Sequence, residues 1–140
     1  KSLVELQQSS KINMRVFYRN LGEMIHYIAD YFTFPHNAEF SGNLKEHCIY
    51  EKHLKKSLKD YIQSGEAERN QTRIRKSVQN LNSTEAICNF IRKKHDAYTK
   101  LKNTVEEDCR QIVSLCHQVV EAVLLLVHRG TSRRPSIAAN

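Results

Sequence analysis

Apolar residues recur at helical spacing along most of the chain and divide it into segments. The first segment has apolar residues at Ile12, Val16, Phe17, Leu21, Met24, Ile25, Ile28, Tyr31 and Phe32. It must end ahead of Pro35, because proline disfavours helical backbone in the preceding residue. The second segment starts at Asn43, whose pairing with Glu46 is typical of a capping box, and ends at Gly65. The pattern predicts two helices before residue 66.

Three further amphipathic segments follow in a stretch that contains neither proline nor glycine. Gly65 and Gly130 bound this stretch, whereas a sheet protein would need a tight turn about every 8–12 residues. The first segment is short, with Ile74, Val78 and Leu81 on one face. Capping-box pairs begin the other two, Asn82 with Glu85 and Thr104 with Glu107. The whole chain is therefore predicted to be all-α.

The last segment is apolar on nearly all sides. A helix of this kind requires burial on several faces, which a subunit interface or the centre of a monomeric bundle would provide. No stretch reaches the ~20 consecutive apolar residues of a membrane span, so no membrane insertion is expected. We predict a single helical domain at residues 1–129 and a flexible basic tail at 130–140. The apolar positions of the last helix are Val105, Cys109, Ile112, Cys116, Val119, Val123 and Leu126.

The formal net charge of +7 and the sequence pI near 9.3 favour an acidic partner. Receptor faces, membrane surfaces, nucleic acids and heparan-like polyanions all satisfy this requirement. Nucleic acid is not expected, because the basic residues are mixed with acidic ones instead of covering one face. The most basic stripe is more often a solvated helix face than a binding site, and it consists of Lys52, Lys55, Lys56 and Lys59.

The chain contains no motif that is typical of an enzyme. A Gly-rich phosphate loop, a nucleophile elbow and a His-Glu-x-x-His helix are all missing from the sequence. His47, Cys48 and His53 could supply metal ligands, but adjacent His47 and Cys48 diverge around a helix and no Cys-x-x-Cys accompanies them. We therefore expect no catalysis, no cofactor and no metal.

Four cysteines leave the redox state open between free thiols and two disulfide bridges. They are Cys48, Cys88, Cys109 and Cys116. Cys109 cannot pair with Cys116, because seven residues of helix separate them by roughly 10 Å, beyond the ~7 Å Cα limit for a bridge. Free thiols are favoured, because each cysteine lies on or beside an apolar face.

Two triplets match the acceptor for N-glycosylation, Asn70-Gln-Thr and Asn82-Ser-Thr. Both lie at predicted helix boundaries, where a glycosylating enzyme could reach them. Although such triplets also arise by chance, their positions at two exposed junctions favour a secreted glycoprotein.

Two segments resemble the type II interferon (interferon-γ) family. Ile74-Arg-Lys-Ser-Val78 is similar to the family's Ile-Gln-Lys-Ser-Val. The segment from Lys93 to Asn103 is similar to Lys-Lys-Arg-Asp-Asp-Phe-Glu-Lys-Leu-Thr-Asn, in the same order and at nearly the same separation. Carried forward without a gap, the resemblance covers roughly residues 74–134 and aligns His117 with a histidine of the family's last helix. It indicates a divergent, interferon-γ-related member.

The resemblance implies a secreted helical cytokine with about six helices that acts as an intertwined homodimer. Such a protein binds a cell-surface cytokine receptor, triggers immune and antiviral signalling, and catalyses nothing. By the same resemblance, His117, Arg133 and Arg134 would be receptor-binding residues. The alternative is an intracellular helical adaptor that binds an acidic partner, whether protein, nucleic acid or membrane surface, with its cysteines reduced.

Overall fold

The computed structural model describes residues 14–36, 41–100 and 104–132, which form helices and connections without a strand. The helices are α1 (Met14–Tyr31), α2 (Leu44–Gln63), α3 in two pieces (Glu66–Arg69 and Gln71–Ser77), α4 (Thr84–Tyr98) and α5 (Val105–Ser132). A short 3-10 turn, Phe34–His36, follows α1. The predicted all-α class is confirmed.

The ends of α2 agree with the sequence pattern. The Asn43 side chain accepts the N–H of Glu46 at 3.1 Å, and the Glu46 carboxylate accepts the N–H of Asn43 at 2.8 Å. This reciprocal pair is the predicted capping box. Gly65, just beyond the helix, has a φ of +72°, a left-handed conformation that glycine adopts without steric cost.

The starts of α4 and α5 agree with the pattern to within one residue. The Oγ1 atom of Thr104 accepts the N–H of Glu107 at 3.2 Å, as predicted for the first turn of α5. The N-cap of α4 is Ser83 and not Asn82, because the Ser83 hydroxyl accepts the N–H of Ala86 at 3.1 Å. At its other end α5 continues through Gly130 to Ser132, so the predicted start of the tail lies inside this helix.

Helix α5 forms the centre of the core and packs against each of the other helices. The residues it buries are Cys109, Ile112, Leu115, Val119, Ala122 and Val123. The surrounding helices bury Phe17, Leu21, Ile28, Leu54, Ile74, Val78, Ile87 and Tyr98 against it. Contacts on several sides bury much of the apolar surface of α5 within one chain, while Leu124 remains 39% exposed.

Among the described residues, one helix is long and apolar enough to cross a membrane, over Val105–Gly130. Length and composition alone are weak evidence for a span, because a helix at the centre of a helical core satisfies the same criteria. This stretch of α5 supplies the central residues of the core described above.

A buried carboxylate connects three distant parts of the chain. Asp108, on the first turns of α5, is completely buried. Its oxygens accept the N–H of Phe34 at 2.8 Å, the hydroxyl of Tyr50 at 2.8 Å and the hydroxyl of Tyr98 at 2.6 Å. Burial and the bond to this carboxylate raise the pKa of Tyr50, so its phenol stays protonated and remains a donor. Three donors offset the cost of burying the carboxylate.

All four cysteines are free thiols in the structure, in two different environments. Cys48 and Cys88 are exposed, Cys109 is buried, and Cys116 is partly buried on the same helix as Cys109. Desolvation raises the pKa of Cys109 and of Cys116 to about 11. The reactive thiolate form of these two side chains is therefore scarce at neutral pH.

Removing the Tyr98 hydroxyl tests the Asp108 network. We expect Tyr98→Phe to lower the free energy of unfolding by about 1.5–3 kcal/mol, because it deletes a hydrogen bond to a buried charge and keeps the ring packing. Urea denaturation followed by circular dichroism would measure this. Tyr18→Phe is the matched control, because Tyr18 is 57% exposed, and it should change stability by less than about 0.5 kcal/mol. Equal effects of the two substitutions would contradict the proposed importance of the network.

Thiol labelling tests the two cysteine environments. In reduced native protein, we expect a maleimide at neutral pH to modify Cys48 and Cys88 rapidly. Cys109 and Cys116 should react only after unfolding, because burial limits access and the raised pKa limits the thiolate. Peptide mass spectrometry would locate the label, and the same reaction in denaturant should modify all four residues. Native labelling of Cys109 at the rate of Cys48 would be inconsistent with this core.

Candidate metal centre

Three potential metal ligands lie together at one end of α2. The Nε2 atom of His47 lies 2.8 Å from Oε1 of Glu51, and the Nε2 atom of His36 lies 3.2 Å from the same oxygen. One potential ligand atom from each residue lies within 4.8 Å of those of the other two. We call this group the His-Glu cluster.

Two local structures bring these side chains together. His47 and Glu51 are four residues apart on α2 and so project from the same face of that helix. His36 is the last residue of the 3-10 turn, where its N–H donates to the carbonyl of Thr33 at 3.0 Å. Because Pro35 is buried within this turn, the turn packs against the protein while the His36 side chain extends toward Glu51.

Asp108 sets the spacing between the two segments that carry the cluster. One of its oxygens, Oδ2, accepts both the N–H of Phe34, two residues before His36, and the hydroxyl of Tyr50, the residue before Glu51. The rings of Phe34 and Tyr50 also meet edge to face, with centroids 6.1 Å apart. A single buried atom therefore fixes the 3-10 turn and α2 relative to each other.

The cluster is accessible to solvent and carries a negative charge at its centre. Side-chain exposure is 48% for Glu51, 33% for His36 and 25% for His47. Hydrogen bonds from His47 and His36 lower the pKa of Glu51, so its carboxylate is ionised at neutral pH. An ion and a further ligand could both reach the site from solution.

Two imidazoles and one carboxylate form a donor set that suits zinc. Three protein ligands with a fourth position left for water are typical of catalytic zinc sites, at bond lengths of about 2.0–2.2 Å. In a tetrahedral site with these bond lengths, two ligand atoms lie about 3.4 Å apart. The Nε2 atoms of His47 and His36 lie 2.8 and 3.2 Å from Oε1 of Glu51, and all three atoms lie within 4.8 Å of one another. Rotations of these partly exposed side chains could place the three atoms around one ion, so the residues present fit zinc by their chemistry.

The metal ligands considered from the sequence are only partly the ones that the structure brings together. His47 belongs to the cluster, whereas Cys48 and His53 are exposed elsewhere on α2 and do not join it. The sequence analysis missed His36 and Glu51. The His-x-x-x-Glu spacing of residues 47–51 was a usable signal, because positions i and i+4 share a helix face.

Among the described residues, none of those predicted to bind receptor or carry glycans belongs to the cluster. His117 is partly buried on α5, and Arg133 and Arg134 lie outside the described residues. Asn82 is exposed just before α4, and Asn70 is partly exposed at the break in α3.

A family model described as "Zinc dependent phospholipase C" matches residues 1–105 of this chain. The match covers three quarters of the 140 residues. No curated protein and no solved structure matches the chain.

The match corrects the functional interpretation of the sequence. Membership of the interferon-γ family, the cytokine function with its receptor partner, and the absence of enzymatic activity were wrong predictions. The receptor-binding roles of His117, Arg133 and Arg134 rested on that interpretation. The alternative of an intracellular adaptor gains no support either.

The interferon-like segments have a simpler explanation in the structure. Ile74, Val78 and Tyr98 are buried, while Lys76, Lys93 and Lys94 are exposed. Buried apolar positions separated by exposed lysines occur in amphipathic helices of many unrelated proteins.

The family match and the cluster agree on the metal. His36, His47 and Glu51 all lie within the matched residues, and their nitrogen and carboxylate donors are ligands that zinc accepts. The earlier expectation of no metal is therefore replaced by a candidate zinc site at the end of α2. From this match over most of its length, the chain belongs to the zinc-dependent phospholipase C family.

Proposed function

We propose that this chain hydrolyses phospholipids at the phosphodiester bond, with zinc held by His36, His47 and Glu51. The observation that carries the proposal is the convergence of these three donors within the family-matched residues. A phospholipase C adds water across the bond between phosphorus and the glycerol oxygen. The glycerol oxygen leaves with a proton as diacylglycerol, and the phosphorylated headgroup keeps the hydroxyl.

The residues of the cluster would bind a zinc ion, and a buried group behind them would orient two of these ligands. A zinc ion bound there would supply a Lewis acid and an activated water for attack on phosphorus. Glu51 contributes the negative charge that both histidines face, and its pKa is already lowered, so binding requires no proton loss from this carboxylate. Asp108 positions His36 and Glu51 through the backbone of Phe34 and the ring of Tyr50.

The charge of the chain suits a lipid surface as substrate. Lys52, Lys55, Lys56 and Lys59 are all exposed on α2, the helix that carries His47 and Glu51. Basic residues near an anionic membrane contribute about 1 kcal/mol each to association. The lysine stripe would therefore hold α2 close to anionic lipid headgroups.

Several expectations from the sequence stay predictions. An intertwined homodimer of about six helices per chain is finer than the established all-α class. Among the described residues there are five helices when the two pieces of α3 are taken together. Secretion and N-glycosylation stay predictions, with Asn82 exposed and Asn70 partly exposed. Sedimentation would test the homodimer. The intact mass of protein produced by a secreting cell would test glycosylation at the two asparagines.

Zinc binding provides the direct test of the cluster. We expect the chain to bind one zinc ion at this site, measured by titration calorimetry and elemental analysis. His47→Ala and Glu51→Gln should each weaken binding by at least about 10–100-fold, because each removes a ligand. Hydrolysis of phosphatidylcholine vesicles containing anionic lipid should be lost in the same variants and after chelation.

The matched control is His53→Ala, which removes an exposed histidine of α2 that lies outside the cluster. It should leave zinc affinity and hydrolysis unchanged. Hydrolysis that survives chelation, or equal loss of zinc affinity in His53→Ala and His47→Ala, would refute the assignment.

A further inference from the structure

A basic stretch that contains no acidic residue covers most of α3 and the connection to α4. Residues 69–84 include no aspartate or glutamate, and their basic residues are Arg69, Arg73, Arg75 and Lys76. The lysine stripe on α2 has acidic residues at both of its ends, Glu51 and Asp60. Because nearby opposite charges lower the local potential, α3 carries the more uniform positive charge of the two helices.

Three of the basic side chains share the outer face of α3. Arg69, Arg73 and Lys76 follow one another at intervals of four and three residues, and all three are exposed. The helical bonding continues across the break in α3, where the N–H of Ile74 donates to the carbonyl of Asn70 at 3.0 Å. At ~1.5 Å per residue, the three cations lie along roughly 10 Å of helix, away from the buried side chain of Ile74.

Helix α5 holds the other side of α3 and adds a fourth cation. Glu121 on α5 pairs with Arg75 at 3.6 Å, so the charge of Arg75 is already balanced. The guanidinium of Arg129, also on α5, donates to the carbonyl of Gln79 at 2.9 Å and therefore lies at the end of α3. We call the remaining four cations the α3 basic surface: Arg69, Arg73, Lys76 and Arg129.

The cations on the outer face have donors to offer a ligand. Among the described residues, no acidic side chain lies within ion-pair distance of Arg73 or Lys76. Arg69 donates to the carbonyl of Ser64 at 3.0 Å, which uses one of the five N–H groups of a guanidinium. Arginine presents its N–H groups in pairs that match two oxygens of one oxyanion. The surface therefore suits a ligand with several closely spaced oxyanions.

The surroundings of these cations are polar and contain no large apolar side chain that is exposed. Of the described residues, every large apolar one that is exposed lies outside residues 69–84. Helices that bind membranes insert large apolar side chains into the lipid, and proteins that bind single-stranded nucleic acid stack aromatic rings on the bases. Exposed amides and a hydroxyl, which suit sugar hydroxyls, come instead from Gln71, Thr72, Gln79 and Asn80.

We propose that the α3 basic surface binds a sulfated polysaccharide. The sulfate groups of such a polymer are ionised at neutral pH and would pair with the arginine and lysine side chains. Its hydroxyl groups would bond with the neighbouring amides, and it requires no apolar contact. None of the four cations belongs to the His-Glu cluster, so the proposal goes beyond the proposed function and does not depend on it.

Titration of the full chain with a heparin decasaccharide tests the proposal. We expect log affinity to fall by about two to three units for each tenfold rise in salt concentration, because four cations would displace counterions from the polymer. The same decasaccharide without its sulfate groups should not bind. Equal affinity for the sulfated and desulfated forms would overturn the proposal.

Paired substitutions locate the binding site. Arg73→Ala combined with Lys76→Ala should weaken decasaccharide binding by at least about tenfold, because two charge-assisted contacts are lost. The matched control is Arg92→Ala combined with Lys93→Ala, which removes one arginine and one lysine from exposed positions of α4. Circular dichroism would verify that both double variants are folded, as expected for exposed positions. An equal loss of affinity in the two double variants would assign binding to net charge and refute the α3 site.

Two other polyanions distinguish the class of partner. Duplex DNA and vesicles rich in phosphatidylserine should each bind more weakly than the decasaccharide at the same salt concentration. Tighter binding of either one that is lost in the Arg73→Ala and Lys76→Ala double variant would assign the surface to that partner and overturn the polysaccharide. Decasaccharide binding should also persist after chelation of zinc, so failure of the metal assignment and failure of this proposal are separate results.

Discussion

The carboxylate of Asp108 is the interaction on which the arrangement of the chain depends. Burying a charge completely is costly unless donors replace its water. Here the donors come from the connection after α1, from α2 and from the end of α4, so Phe34, Tyr50 and Tyr98 must all approach one point on α5. The apolar core brings the helices together without direction, whereas this hydrogen-bonded charge specifies how the segments meet.

The candidate metal centre depends on this arrangement of the segments, although its ligands lie outside the core. Its ligands are partly exposed, as a site that admits an ion, water and a substrate requires, yet their backbones are attached to buried groups. The exposed carboxylate of Glu51 and the buried carboxylate of Asp108 therefore have opposite roles. One is available to bind from outside, and the other is satisfied by the protein and stabilises the position of the first.

Much of the fold could be predicted from the sequence, because it follows from local rules. Helical periodicity, the Asn43 box and Gly65 mark helix ends within a few residues. The apolar surface of α5 predicted burial on several sides, and left a subunit interface and the centre of a bundle as alternatives. The shift from Asn82 to Ser83 as N-cap shows the limit of such rules, since both residue types cap helices well.

The site was harder to predict because its parts come from separate elements. His36 and Glu51 are fifteen residues apart on opposite sides of a connection, and helical spacing does not report the angle between the two segments. His47 and Glu51 were accessible from their spacing, but attention to His47, Cys48 and His53 favoured residues that are near in sequence over residues that share a face. The short motifs in residues 74–103 resemble the interferon-γ family, but their pattern of buried apolar and exposed basic positions is common in amphipathic helices.

Asp108 lies three residues beyond the stretch that matches the family model. A fragment cut at residue 105 would keep every candidate ligand and would lose the acceptor that holds Phe34 and Tyr50 at a fixed separation. It would also lose the helix around which the others pack. The smallest transferable unit of this site is therefore longer than the stretch that matches the family model, and a transplant into another scaffold must include a substitute for the central helix.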